Sequence, residues 1–362
     1  MKNINFISTS QIKENKNLEK LFQYAFLKDL NIYCSILNGN FYIDSHNYYP
    51  IMERDLSTFP DQFDWQNKRE VFNNKDFKEN FFKNKKDYKE ISDAFILGSS
   101  PGNNYYRNIW TFLIRLNFIS QKEINLAIHR NTSNNVRNFI KFFLDEKKIK
   151  VNKYIYLDDG FYFCKNSQIP SFLKSIDVIK FYEYLFPSSG NNTENIYISR
   201  RNAKWRRVVN ETDFSSHLEK EGFEILDFEN LSILEQIKKI QKSKKIISPH
   251  GSGLTNLLFG RNNSEIQVIE IVQNNIDKEL NKIYLKYKEI SEYKKNQHYF
   301  FGADLASNDL FRYIKTRNLA EGQHIGSKNI RRNPYFKNFI VQEKEFKKLI
   351  TNFHKRWNYN YQ

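Results

Sequence analysis

The segment ISPHGSGLTNLLF, residues 247–259, constrains this chain more than any other stretch. A short apolar, β-rich run ends in His250-Gly251-Ser252-Gly253, and a helical pattern begins at Leu254. A strand that passes through glycines into a helix belongs to the α/β class. Glycine lets the backbone approach a ligand without a Cβ in the way. The helix start adds unpaired N–H groups and partial positive charge, a combination suited to phosphate. Thr255 and Asn256 offer further donors in the first turn. Taken alone, such a turn more often meets a purely geometric need for glycine, so its surroundings decide.

Those surroundings have a regular α/β rhythm. Strands are expected at 196–199, 224–228, 245–250 and 266–272, with helices at 211–223, 232–243 and from 254 onward. Four strands with intervening helices make half of a doubly wound sheet. Ser199-Arg200-Arg201 closes the first strand, with Arg206 and Arg207 a few residues on. In a parallel sheet these arginines and the HGSG turn emerge at one edge, and arginine forks match phosphate oxygens. Glu270, near the end of the last strand, is placed to accept from a ribose hydroxyl or to pair with an arginine. Asn210-Glu211 opens a helix, as an N-cap or as an acid for catalysis. Glu235 and Gln236 read as a solvated helix face beside the apolar positions Ile233, Ile237 and Ile240.

Upstream, IYCSILNGNFYI (32–43) has the pattern of a hairpin about an Asn-Gly turn. Residues 64–91 read as exposed helix or loop. A buried-type strand is expected at 93–98, a helix at 107–119, a strand at 124–130, a helix at 134–146 and strand material at 153–163. This alternation points to an α/β domain with a mainly parallel sheet over 1–188. The polar break at 187–195 separates it from a second Rossmann-like domain, 189–341. Residues 273–335 read as less regular, and a last helix is expected at 343–357 within the tail 342–362.

The net charge of +16 favours anionic partners, although its lysines are scattered and share their abundance with asparagine, isoleucine, phenylalanine and tyrosine. The dispersal, and the lack of a recognition motif, argue against a nucleic-acid-binding protein. Cys34 and Cys164 form no metal spacing and fit buried thiols in a reducing compartment. The opening MKNINFISTS lacks the long apolar run of a signal peptide, so a cytoplasmic protein is expected. No HExxH, GxSxG or Walker A motif occurs. His129, His217 and His298 read as ordinary surface or core residues. GSGLTN followed by Glu270 mimics a nicotinamide fingerprint, but Asn256 stands where its third glycine belongs.

Together these residues resemble glycosyltransferase family 61, which includes capsular polysaccharide enzymes. The resemblance rests on YISRRNAKWRRVVNE (197–211), FENLSILEQI (228–237), SPHGSGLTNLLF (248–259) and VIEI (268–271). Ser252 replaces the family's usual alanine. The resemblance implies a GT-B architecture of two facing Rossmann-like domains, with a C-terminal helix packing back on the first. It implies metal-independent, inverting transfer from a nucleotide-sugar, UDP-linked by expectation, to a saccharide or glycolipid acceptor; the basic surface of the chain suits peripheral association with an anionic membrane face. No cofactor beyond the nucleotide-sugar is implied, and Asp158-Asp159 lies in the wrong domain for a metal motif. Ser199, Arg200, Arg201, Arg206, Arg207, His250, Gly251, Ser252, Gly253, Leu254, Thr255, Asn256 and Glu270 would then bind the donor. His250 and Glu211 are the candidate catalytic groups. Where the family carries a histidine and, four residues on, an acid, this chain has Arg107 and Thr111, which leaves a non-catalytic, donor-binding member as an alternative.

Overall fold

The computed structural model describes residues 5–6, 22–27, 32–45, 48–52, 57–58, 88–100, 103–187, 192–203, 205–261, 266–274, 278–306 and 338–353. The chain divides into two compact units, Met1–Phe181 and Tyr182–Gln362. Among the described residues no helix is long and apolar enough to cross a membrane.

The strands of the first unit are β1 (Asn5–Phe6), β2 (Phe22–Leu27), β3 (Ile32–Asp44), β4 (Ile51–Met52), β5 (Ser57–Thr58), β6 (Lys89–Ser92), β7 (Ala94–Ile96), β8 (Glu123–His129), β9 (Lys150–Leu157) and β10 (Phe161–Pro170). Its main sheet runs β2-β3-β10-β7-β8-β9, with β4 on β3 and β6 on β10. β10, β7, β8 and β9 are parallel, whereas β3 joins β10 and β2 antiparallel, so the sheet is mixed. Residues 32–44 form one long strand where a hairpin was expected. Asn38-Gly39 lies inside it, opposite a register shift between Cys164 and Ser167. Gly39, at φ 123°, supplies the backbone angle that an irregularity in the ladder demands. Pairing with a distant strand thus overrides the local turn signal.

The helix expected at 107–119 is a run of a single turn (Tyr105–Arg107), a π-helical turn (Asn108–Phe112) and a 3₁₀ segment (Leu113–Phe118). Helix α1 (Asn134–Glu146) is capped by Ser133, whose hydroxyl accepts from the Val136 amide. Its buried Val136, Phe139, Ile140 and Phe143 repeat at helical spacing. Both cysteines are buried and unbonded to each other. Helix α2 (Ser175–Leu185) spans the division between units.

The second unit has β11 (Glu194–Ile198), α3 (Thr212–Lys220), β12 (Phe223–Leu226), α4 (Ile233–Lys242), β13 (Ser243–Pro249), β14 (Gln267–Gln273), α5 (Lys278–Tyr293), β15 (Gln297–Ala306), β16 (Asn338–Ile340) and α6 (Glu343–Asn352). Its sheet order is β12-β11-β13-β14-β15-β16, parallel up to β15 and closed by antiparallel β16. The order reverses between β11 and β13, and a doubly wound sheet binds ligands in the crevice at such a switch point. The stretch read as irregular after 273 therefore contains a full helix and a fifth parallel strand. Ser232 and Glu235 form a reciprocal capping box on α4, which is why that helix starts where it does. Phe214 of α3 meets Phe346 of α6 edge-on at 4.7 Å, and Phe346 also packs on Phe301. Each such buried ring contributes roughly 1.5–3 kcal/mol. The helix expected to pack back on the N-terminal domain thus spends its apolar face, Phe346 and Ile350, inside the second unit's core.

Candidate functional site

Two segments leave the sheet of the second unit at its switch point. Ser199-Arg200-Arg201 follows β11, and His250-Gly251 follows β13. Ser252 then opens a 3₁₀ segment that runs to Phe259, rather than the α-helix anticipated. Arg200 and Gly251 meet. A Cβ on Gly251 would lie 2.5 Å from Arg200 Cζ, so any other residue would push the guanidinium away. The glycine is needed for this approach and not for backbone strain, since its φ of 177° is ordinary extended backbone. Arg200 Nη2 also donates to the Trp205 carbonyl at 2.8 Å, which fixes the second end of the fork. Gly253 sits tightly too, where a Cβ would be 3.3 Å from the Ile198 side chain.

Arg201 is held differently. The buried carboxylate of Glu211 accepts from Ser199 Oγ at 2.6 Å, Tyr197 Oη at 3.1 Å and Arg201 Nε at 3.2 Å. Arg201 Nη2 approaches the same oxygen at 3.0 Å, while half of the arginine side chain remains exposed. Ser199 Oγ in turn accepts from the Arg201 amide at 3.1 Å. Glu211 is thus the hub that orients the arginine, and its oxygens are committed to that task. Burial and the adjacent Glu211 push the Tyr197 phenol well above its ordinary pKa, so it stays a neutral donor. Arg201, Arg207, Val208, Val209, Glu211 and Thr212 line a cavity of about 190 Å³.

The loop carrying Arg206 and Arg207 is tied down from far along the chain. Arg207 N donates to Asn338 Oδ1 at 3.1 Å, and Phe339 N donates to the Arg207 carbonyl at 2.7 Å. Asn210, anticipated as a helix cap, instead exchanges two hydrogen bonds with the Val341 backbone, 2.9 and 3.0 Å. Helix α3 begins at Thr212 without any side-chain cap bond. Non-local pairing to the segment beginning at Asn338 has taken the asparagine away from local use.

His250 and Glu270 form a buried chain. His250 Nδ1 donates to Glu270 Oε1, and His298 Nε2 donates to Glu270 Oε2 at 2.9 Å. Ser291 Oγ closes the chain at 2.8 Å from His298 Nδ1. His250 and Glu270 are fully buried. Burial lowers the His250 pKa to about 3 against the opposing pull of Glu270. The histidine is neutral, and the two imidazole donors keep the Glu270 carboxyl ionised with a lowered pKa against its own burial. Glu270, expected to face a ribose, therefore has both oxygens engaged inside the protein. Its role is to set the tautomer and orientation of His250, whose ring lies 4.3 Å from that of Tyr284.

Thr255 and Asn256 are also enclosed. Asn256 Nδ2 donates to Gln236 Oε1 at 2.9 Å and to the Gly253 carbonyl at 3.0 Å. Gln236 Nε2 donates to the carbonyls of Phe228 and Leu231 at 2.7 and 3.0 Å. Gln236 is a buried strut between α4 and the glycine turn, not part of a solvated face; Glu235 is the exposed neighbour. Leu254 is core, and its amide is spent on the Gly251 carbonyl at 3.0 Å. The N–H groups of Ser252 and Gly253 come first in the helical turn, where no intrahelical acceptor exists.

Residues outside this site have their own partners. Asp158 pairs with Arg130 at 2.6 Å, Asp159 with His129 at 3.0 Å, and His217 bonds Thr351 at 3.1 Å. Thr111 is buried on the π turn of the first unit. Neither candidate base is presented outward, because His250 is enclosed and Glu211 is committed to three donors. His298, read as an ordinary surface or core residue, is a partner of the buried Glu270, whereas Ser291 and Asn338 escaped sequence reasoning, since nothing local marks a residue whose partner lies on another element.

The sequence model of the family Glycosyltransferase 61 matches residues 39–267. No curated protein matches the chain significantly.

Proposed function

The chain belongs to glycosyltransferase family 61 and is a glycosyltransferase; from that premise we propose that its second unit binds a nucleotide-sugar by the diphosphate. The observation that carries this reading is the contact of Arg200 with Gly251 at the β11/β13 switch point. It puts a guanidinium beside the first N–H groups of the Ser252 turn. Arg201, held by Glu211, and Arg207 bring further positive charge to the same edge. Charge develops on the departing nucleoside diphosphate during transfer, and donors aimed at it lower the barrier. His250, locked by Glu270, shapes the turn from below.

The finer reading follows the family. Transfer is inverting and metal-independent, from a UDP-sugar to a saccharide or glycolipid in surface polysaccharide synthesis at the cytoplasmic side of a membrane. The two units, one with a mixed sheet and one with a sheet parallel from β12 to β15, are compatible with a GT-B arrangement in which the first takes the acceptor.

Thermal unfolding with UDP, other nucleoside diphosphates and NAD tests the donor site. A ligand that binds only the folded state raises apparent stability by mass action. UDP or another nucleoside diphosphate is expected to stabilise the protein, and Arg200→Ala to abolish the shift. No response to any nucleotide overturns the reading, and a response to NAD alone replaces it with a dinucleotide site.

A further inference from the structure

The first unit contains a buried cation with one edge of its fork unpaired. Arg115 is fully buried. Its Nη1 donates to the Leu97 carbonyl at 3.2 Å, and its guanidinium stacks on Phe172 at 3.9 Å from the ring centroid. Its other two nitrogens, Nε and Nη2, have no hydrogen-bond partner. These two N–H groups form one edge of the guanidinium fork, the edge that grips a carboxylate or phosphate with two parallel bonds. Among the described residues no acid pairs with Arg115. Burial lowers its pKa to about 9, which leaves it charged at neutral pH. The neighbouring Cys34 cannot serve as counter-ion, because burial pushes its thiol up to about 12.

Position strengthens the case. Leu97 directly follows β7, and Phe172 lies just beyond β10. These parallel strands are neighbours, although β8 and β9 intervene in the chain and lie on the far side of β7. Arg115 therefore sits between the carboxyl ends of two strands where the order reverses, the place where open α/β sheets take ligands. The segment before it is π-helical, Asn108–Phe112, a geometry found as single turns at functional positions. That turn holds two more buried polar atoms without partners, Trp110 Nε1 and Thr111 Oγ1. Stacking on a ring offsets only part of the cost of burying a charge, and native interiors seldom leave so many donors unmet in one segment.

We propose that Arg115 is an oxyanion-binding residue of the first unit, which grips a carboxylate or phosphate group carried by the saccharide acceptor. This rests on the glycosyltransferase reading only in assigning the anion to the acceptor. Because Arg115 is fully buried, the π turn Asn108–Phe112 must move aside to admit the anion.

The test is thermal unfolding of the full chain with the donor cradle saturated by UDP, at constant ionic strength, with inorganic phosphate, glucose 1-phosphate, glucuronate or neutral glucose. Stabilisation by the phosphate compounds or by glucuronate, and not by glucose, is expected and tells the two sources apart. Arg115→Met is expected to lose that response while unfolding at or above the wild-type temperature, because an unneutralised buried charge has been removed. Arg115→Lys, which keeps the charge but not the fork, is expected to show at least a tenfold weaker response. Arg200→Ala should respond to the anions as the wild type does, and Arg115→Met should still respond to UDP, which separates this site from the donor cradle. Absence of any anion response in the wild type overturns the proposal. So does an anion response that survives in Arg115→Met.

Discussion

Arg200 rests its guanidinium on the bare α-carbon of Gly251, so that the residue after β11 and the turn after β13 become one surface. Neither residue could hold this position without the other. A β-carbon on the glycine would occupy the space of the guanidinium, and a shorter residue at 200 would leave the turn open.

Gly251→Ala is expected to displace Arg200 and weaken nucleoside diphosphate binding by tenfold or more, about 1.4 kcal/mol or above. Gly253→Ala should cost less, since its nearest neighbour is a methyl group that can yield by tenths of an ångström. Titration calorimetry on both variants checks the order; equal affinities would contradict the close-approach argument.

Glu211→Gln should harm stability and binding together. The neutral amide presents one oxygen where the carboxylate serves Ser199, Tyr197 and Arg201. Losing charged hydrogen bonds at a buried acceptor costs about 1.5–3 kcal/mol. Denaturant unfolding measures the first effect and nucleotide titration the second. A stable variant with intact binding would show that Arg201 needs no anchor.

The Asn256–Gln236 pair should be coupled. Either alanine substitution leaves a buried amide group unmet, at about 1–3 kcal/mol. The double variant is expected to lose less than the sum of the two, which a double-mutant cycle reads directly. Strict additivity would mean that the hydrogen bond between them contributes nothing.

Stability should fall in acid because of His250. Its folded pKa of about 3 lies below the ordinary value of 6.5, so the unfolded chain binds a proton that the folded one refuses. Between those values this lowers unfolding free energy by about 1.4 kcal/mol per pH unit. Glu270 acts in the same sense, since its lowered pKa makes the folded state favour the ionised form above that pKa. Unfolding curves from pH 7 to 4 should show a smaller slope in His250→Gln. An unchanged slope would place the acid sensitivity elsewhere.

Much of the second unit was legible because its signals are local. Apolar periodicity located β11 to β14 and α3, α4 and α6, whereas the Ser232–Glu235 capping box that starts α4 was recognised only in the structure. The arginine pair and the glycine turn stood out for the same reason. At Asn38-Gly39 and Asn210 the local signal misled, because each was claimed by a partner more than a hundred residues away.

By itself, then, the sequence determined the alternation of strands and helices from β11 to β14, the family, and the two segments that meet at the switch point. Residue spacing carries that information, since helices and strands impose their own periods on burial. Only the tertiary structure decided which polar residues of those segments turn outward. Glu270, Asn256 and Gln236 look like ligand-facing or solvated groups in the sequence, yet each is buried on a partner from another element. The Arg200–Gly251 contact belongs to the same class. Burial of a polar group requires a hydrogen-bond partner, and that partner is chosen by the packing of elements and not by neighbours along the chain.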